Sequence, residues 1–461
     1  MSGAVVIDAA LSSRKDPIRV ALVGTGFMGR AILWTLLESD VNIQVVAVVN
    51  RTLANAINVI EKAIAHPSSK KVSMKVVEKY EKESEEEKVG VVVISSDIGF
   101  AVSNPRVECV VECTGTIEFA AQVNCKAIDN GKHVVAMNAE IDATLGTALR
   151  NRADKKGVVF TQCDGDQPGV IMNLIRHAKS LGMEPVLAGN MKGFHNVYAT
   201  PATQQWFADK FGQKSPMVTS FCDGSKVSFE MATVANATGM RVAKRGMNGT
   251  RCSKVSDAQS VLPQEALSLP DGCVDYILGA EPGPGVFVLA KLRDERHASY
   301  LRYYKQGEGP LYTLYSPYHL CHLEAVNSIA RAVLFNDHVC SARPNVSPVV
   351  EVITVAKQDL SPGEALDGIG MFTTYGLCEN SDIARSQRLL PLGLAEKCVL
   401  KREVKKDQAI SFDDVDLEMM VKERGGELPI HFTLWLDQFG LSESYYFKAE
   451  VKEVKERRGE C

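Results

Sequence analysis

Nowhere in its 461 residues does the chain hold a run of about 18 consecutive apolar residues, so no segment reads as a helix that crosses a bilayer. A leader is not evident either: residues 1–16 have one short apolar run, broken by Asp8, and no basic start. Paired cysteines are missing. The 12 cysteines are spread singly, without the close pairs that grip zinc or act as redox couples, and Cys109 and Cys113 fall on one strand and its exit, as buried thiols do. Excess charge of either sign is missing too. With 52 Lys and Arg against 56 Asp and Glu the net charge is −4, and the basic residues are scattered, which argues against a nucleic-acid groove. These absences predict a reduced, cytoplasmic protein whose partners include neither membrane nor nucleic acid.

What remains is an ordinary globular composition in a chain too long for one hydrophobic core. From residue 18 to about 162 apolar strands alternate with amphipathic helices, the pattern of a doubly wound α/β sheet. Strands are expected at 18–23, 43–49, 91–94, 107–112, 133–136 and 158–162. Helices are expected at 31–38, 52–66 and 117–130, the last ending at Gly131, where a glycine lets the chain turn back. The charged run 78–88 reads as a solvated helix or loop. Residues 165–345 are less regular, with a helix expected over 170–181 and a Gly/Pro-rich loop at 279–285. Beyond 347, short strands punctuated by turns suggest a small β module. The predicted organisation is therefore a Rossmann dinucleotide-binding domain over 1–165 and an α+β catalytic and oligomerisation domain over 166–346. A β module over 347–425 and a C-terminal extension over 426–461 follow.

Gly24-Thr25-Gly26-Phe27-Met28-Gly29 follows the first strand and opens a helix. In that context the first glycine permits a tight turn, the second lets backbone approach a pyrophosphate, and the third allows close helix–strand packing. The helix start offers free N–H groups to phosphate. At the end of the second strand an NAD site usually carries a carboxylate for the ribose hydroxyl; here the chain has Asn50-Arg51-Thr52. An arginine can pair with a 2′-phosphate that a carboxylate would repel, so NADP is favoured over NAD. Cys113-Thr114-Gly115 and Asn138 end later strands at the same carboxyl edge, where the nicotinamide half would lie.

Candidates for chemistry gather beyond residue 163. Asp164 stands in the loop joining the first two regions, and Lys192 sits beside Gly193 after an apolar run. Glu230, Asn236, Lys244 and Arg245 occupy a mostly apolar stretch. A cation such as Lys192, the first choice, could support an oxygen that gains charge during hydride transfer. His319 and His322, at i and i+3, would share one side of a helix and could move protons or hold a metal. Asp164, Asp166 and Glu230 could hold Mg²⁺ or Mn²⁺ against substrate oxygens, although no spacing compels it.

The chain resembles the 1-deoxy-D-xylulose 5-phosphate reductoisomerase-like proteins, relatives of homoserine dehydrogenase. The likeness rests on the glycine motif, on 164–169, 189–193 and 234–239, on 278–286 and on Pro317-Tyr318-His319-Leu320, and it runs from about 18 to 425. Residues 359–364 and 391–394 are similar to the SAF, or β-clip, module. The resemblance implies a homo-oligomer and an NADPH-dependent reduction of a small hydroxy-ketone or aldehyde. In some members that substrate is a sugar phosphate, 1-deoxy-D-xylulose 5-phosphate, converted to 2-C-methyl-D-erythritol 4-phosphate with help from a divalent metal. The metal and substrate motifs of the main reductoisomerase family are not found here, and fold does not fix substrate. Homoserine-dehydrogenase-like oxidation of an amino-acid alcohol, and dinucleotide binding without turnover, stand as alternatives.

Overall fold

The computed structural model describes residues 2–67, 70, 72–81 and 90–447. Its first sheet is built from β1 (Ile18–Val23), β2 (Ile43–Val49), β3 (Ser73–Val76), β4 (Val91–Ser95), β5 (Cys109–Glu112), β6 (His133–Ala136) and β7 (Phe160–Gln162). All neighbours are parallel, in the order β3-β4-β2-β1-β5-β6-β7. The central strands are apolar on both faces because helices cover both. Val20 and Leu22 face α1 (Phe27–Glu38) and α2 (Leu53–Ile64), whereas Ala21 and Val23 face α3 (Glu118–Asp129) and α4 (Ala139–Lys156). The order reverses between β1 and β5, and that switch point opens the crevice in which such sheets bind ligands.

Helix α1 starts four residues before the expected 31, because its glycine-rich first turn carries no apolar period. The 18-residue α4 escapes sequence patterning altogether. It buries Glu140, Asp142, Thr144 and Thr147 along with its apolar residues, so no polar face shows. Asn138 marks its start, accepting the Ile141 amide at 3.2 Å, and left-handed Gly157 its end.

A second sheet, in the order β12-β11-β8-β10-β9, joins β8 (Met183–Lys192), β9 (Thr250–Arg251), β10 (Cys273–Leu278), β11 (Val286–Leu292) and β12 (Leu311–Ser316). Against it pack α5 (Gln167–Ser180), which begins three residues before the expected helix, and α8 (Ser225–Thr238). Between β8 and α8 the chain makes a helix pair, α6 (Pro201–Phe211) and α7 (Ser215–Cys222). Helix α9 (Ala325–Phe335) returns to cover the first sheet.

In the third region β13 (Val350–Ala356) pairs antiparallel with β14 (Thr374–Asn380). Elsewhere in this region the expected short strands are reduced to isolated bridges, such as Leu360 to Val404 and Ala365 to Val399. The described part of the segment expected as an extension, residues 426–447, is integral to the core. Helix α10 (Ile430–Phe439) packs on α3 and α4, with Gln438 donating to the Thr144 carbonyl at 2.9 Å. Trp435 is buried among Phe412, Phe439 and Tyr446, and its indole donates to Glu351 at 2.8 Å. Most of the charged run 78–88 lies outside the described residues. Among the described residues no helix is long and apolar enough to cross a membrane.

Candidate active site

The glycine motif forms the turn its spacing predicts. Gly24 has φ +97°, and a side chain there would strike the Cys113 carbonyl. A Cβ on Gly29 would lie 2.0 Å from the Gly24 carbonyl oxygen, so α1 can seat against the turn only without one. Beside Gly26, by contrast, there is nothing within 4 Å, which is the room a pyrophosphate needs. Asn50 braces the turn: its Oδ1 accepts the Thr25 amide at 3.0 Å and its Nδ2 donates to Thr52 at 2.8 Å. Arg51, next along, is exposed.

The turn Cys113-Thr114-Gly115, expected beside the nicotinamide, is held by a residue that sequence reading missed. Glu112 ends β5 fully buried, and its carboxylate accepts the Thr114 amide at 2.6 Å and the Asn138 amide group at 3.0 Å. Burial raises its pKa, against the pull of those donors. Asn138 thus spans two tasks, capping α4 and tying the turn through Glu112 and the Thr116 carbonyl.

These turns open into a cleft of about 770 Å³ that runs from Thr25, Gly26, Phe27 and Met28 past Cys113, Thr114 and Gly115 to Glu140, Asp166, Lys226, Glu230, His319 and His322. At its inner end Lys226, on the first turn of α8, lies 3.1 and 3.2 Å from the two oxygens of Glu140. Burial would lower the Lys226 pKa, but Glu140, Asp166 and Glu230 outweigh it and hold the ammonium above the usual lysine range. Glu230, one turn along α8, accepts Asn190 at 2.6 Å and faces Lys192 at 3.5 Å. Burial raises its pKa, with Lys192 and Lys226 pulling it down. Asp166 is 4% exposed, lines the cleft and has no salt bridge among the described residues; a Cys321 thiol approaches it at 3.7 Å. Burial lowers the His319 pKa, opposed by Asp166, and its Nδ1 has no protein partner.

Lys226 and Glu140 were not among the sequence candidates. The available signal was the i, i+4 spacing of Lys226 and Glu230, which puts both on one helix face. His319 and His322 do meet in the cleft, but on a turn between β12 and α9 rather than on a helix. Lys192 adjoins the site through Glu230 and does not line the cleft. Four candidates lie elsewhere. Asp164 faces away, bonded to Arg331 and Asn173 at 2.9 Å each. Asn236 accepts the Val349 and Val350 amides and donates to the Val350 carbonyl, anchoring β13. Lys244 is exposed, and Arg245 pairs with Glu379 at 2.7 Å on the third region. No three His, Cys, Asp or Glu side chains among the described residues are arranged to hold a metal ion; Lys226 supplies the positive charge at the centre of the carboxylates.

Residues 24–161 match the family model of the homoserine dehydrogenase NAD binding domain, and 165–325 match that of the oxidoreductase DRL catalytic domain. The fold, the glycine turn and these two domains define an NAD(P)-dependent oxidoreductase. Homoserine dehydrogenase of Pseudomonas aeruginosa is 33% identical over 108 residues, 23% of this chain, and the chain spans only 25% of that protein. Among solved structures, biliverdin reductase from Synechocystis sp. PCC 6803 with biliverdin and NADP+ is 13% identical, at a TM-score of 0.36 over 72% of this chain and 93% of that one. A 3-ketoreductase from Actinomadura kijaniata with NADP and TDP-benzene is 14% identical, at 0.35 over 70% and 91%.

Proposed function

We propose that the chain is an NADP-dependent reductase of a small hydroxy-ketone or aldehyde, with Lys226 as the group that meets the substrate oxygen. The observation that carries this reading is a buried ammonium, ringed by three carboxylates, at the inner end of the cleft that begins at the glycine turn. A bound nicotinamide would supply the hydride. As the carbonyl carbon is reduced its oxygen gains charge, and a lysine held protonated in a water-poor site stabilises that charge. Glu140 and Glu230 orient the ammonium; Lys192 acts on it through Glu230. Arg51, at the strand end where NAD enzymes place a carboxylate, supports the preference for NADP.

The carboxylates bear on the substrate. A phosphate would be repelled beside Glu140, Asp166 and Glu230, so a sugar phosphate such as 1-deoxy-D-xylulose 5-phosphate would have to carry its phosphate away from that ring. A second reading, oxidation of an amino-acid alcohol, is favoured by one feature: the Asp166 carboxylate faces the cleft without a salt bridge and suits a substrate ammonium. A homo-oligomer built on the second and SAF-like third regions belongs to the same proposal.

NADPH oxidation across a panel of carbonyl compounds, and NADP reduction across amino-acid alcohols, separates the readings. Lys226→Met should lower turnover on the best substrate about 10²–10³-fold with NADP affinity unchanged. Lys192→Ala should cost less. A Lys226→Met enzyme with normal turnover would remove Lys226 from the chemistry, and activity on neither panel would leave a binding protein.

A further inference from the structure

Every carboxylate that lines the cleft stands around Lys226; Arg30 and Lys62 line it from α1 and α2, and Lys214 lines it from the second region. Among the described residues none of these three cations has a salt bridge. Arg30 is held by its faces: the guanidinium lies 5.8 Å from the Phe27 ring centroid and 5.5 Å from that of Trp34, which leaves its N–H donors free. Three cations that line one cleft without a salt bridge suit an anion.

Lys214 reaches the cleft from another part of the fold. It precedes α7, and its carbonyl accepts the Met217 and Val218 amides. Helix α7 is seated from behind by the third region, for a Cβ on Gly370 would fall 2.0 Å from the Pro216 carbonyl oxygen. Met217 in turn comes within 3.7 Å of the position a Cβ would take on Gly115, over the Cys113-Thr114-Gly115 turn. The lysine is therefore carried on a supported element that already overhangs the Rossmann crevice.

We infer that Lys214, with Arg30 and Lys62, binds a phosphate of the dinucleotide, so that the cofactor is clamped between the two domains rather than held by the Rossmann domain alone. The inference rests on the proposed NADP-dependent function. Because two lone cations in one domain would bind the same phosphate without involving the other, Lys214 is the residue that makes cofactor binding an event shared by both domains.

Calorimetric titration of the full chain with NADP, and separately with NAD, tests it. Lys214→Ala and Arg30→Ala should each weaken NADP by about tenfold or more, and Lys214→Arg should restore most of the loss. A loss confined to NADP assigns the 2′-phosphate, and an equal loss for NAD assigns the pyrophosphate; either supports the clamp. Dissociation constants within about twofold of wild type for Lys214→Ala would overturn it while leaving the cofactor assignment standing. If the wild-type chain binds neither dinucleotide, the proposed function fails, and the clamp with it.

Discussion

A methyl group at Gly29 has nowhere to go, whereas one at Gly26 meets only open cleft. The two glycines of one motif should therefore fail differently. Gly26→Asp places a carboxylate where the pyrophosphate belongs, so it should abolish NADP binding in calorimetry and move the melting temperature by no more than about 2 °C. Gly29→Ala forces α1 off the turn and should lower the melting temperature by several degrees. Normal NADP affinity in Gly26→Asp would displace the cofactor site; wild-type stability in Gly29→Ala would show that the turn has slack. This part of the site was legible in the sequence because each glycine answers to a local backbone demand. Lys226 was not, because its importance comes from Glu140, Asp166 and Glu230, which lie on other elements or other turns and converge only in three dimensions. Arg245 misled for the converse reason: its charge in an apolar stretch met a partner, Glu379, on the third region, while its neighbour Lys244 is exposed.

At the scale of elements, helix α8 carries two unrelated duties on one rod. Its first turns present Lys226 and Glu230 to the cleft, and its last turn holds the start of β13 through Asn236, which makes three hydrogen bonds to backbone. Asn236→Ala leaves those buried groups unpaired and should cost about 1–3 kcal/mol of stability, with turnover and NADP affinity unchanged. A kinetic defect at full stability would return Asn236 to the site. The strands of the first sheet could be read from sequence because burial on both faces leaves an unbroken apolar run, as in 43–49. Helix α4 could not, since its buried face includes carboxyl and hydroxyl groups that imitate a solvent-exposed helix. The third region was read as strands and turns, yet its chain folds mostly by single bridges, which leave a weak period-two signal.

For the whole molecule, two buried acids set a pH dependence. Asp142 on α4 lies by Gln162 without a good hydrogen bond to either oxygen, and burial pushes it up to about 7. Glu351 on β13 is also pushed up to about 7 by burial, although Trp435 donates to it. Raised folded-state values mean that both favour the fold fully below their unfolded values near 4, and that this contribution is lost as pH rises to about 7. The double variant Asp142→Asn/Glu351→Gln should therefore gain melting temperature over wild type steadily between about pH 4 and 7 and hold that gain above. A difference independent of pH would mean that neither acid titrates in the folded chain. The return of α10 to α3 and α4 reaches into biosynthesis. Thr144 waits for Gln438 and Glu118 for Arg424, close to three hundred residues further along the chain. A ribosome releasing this polypeptide therefore exposes the apolar outer wall formed by α3 and α4 until α10 emerges, a late closure by long-range contacts of the kind that slows folding.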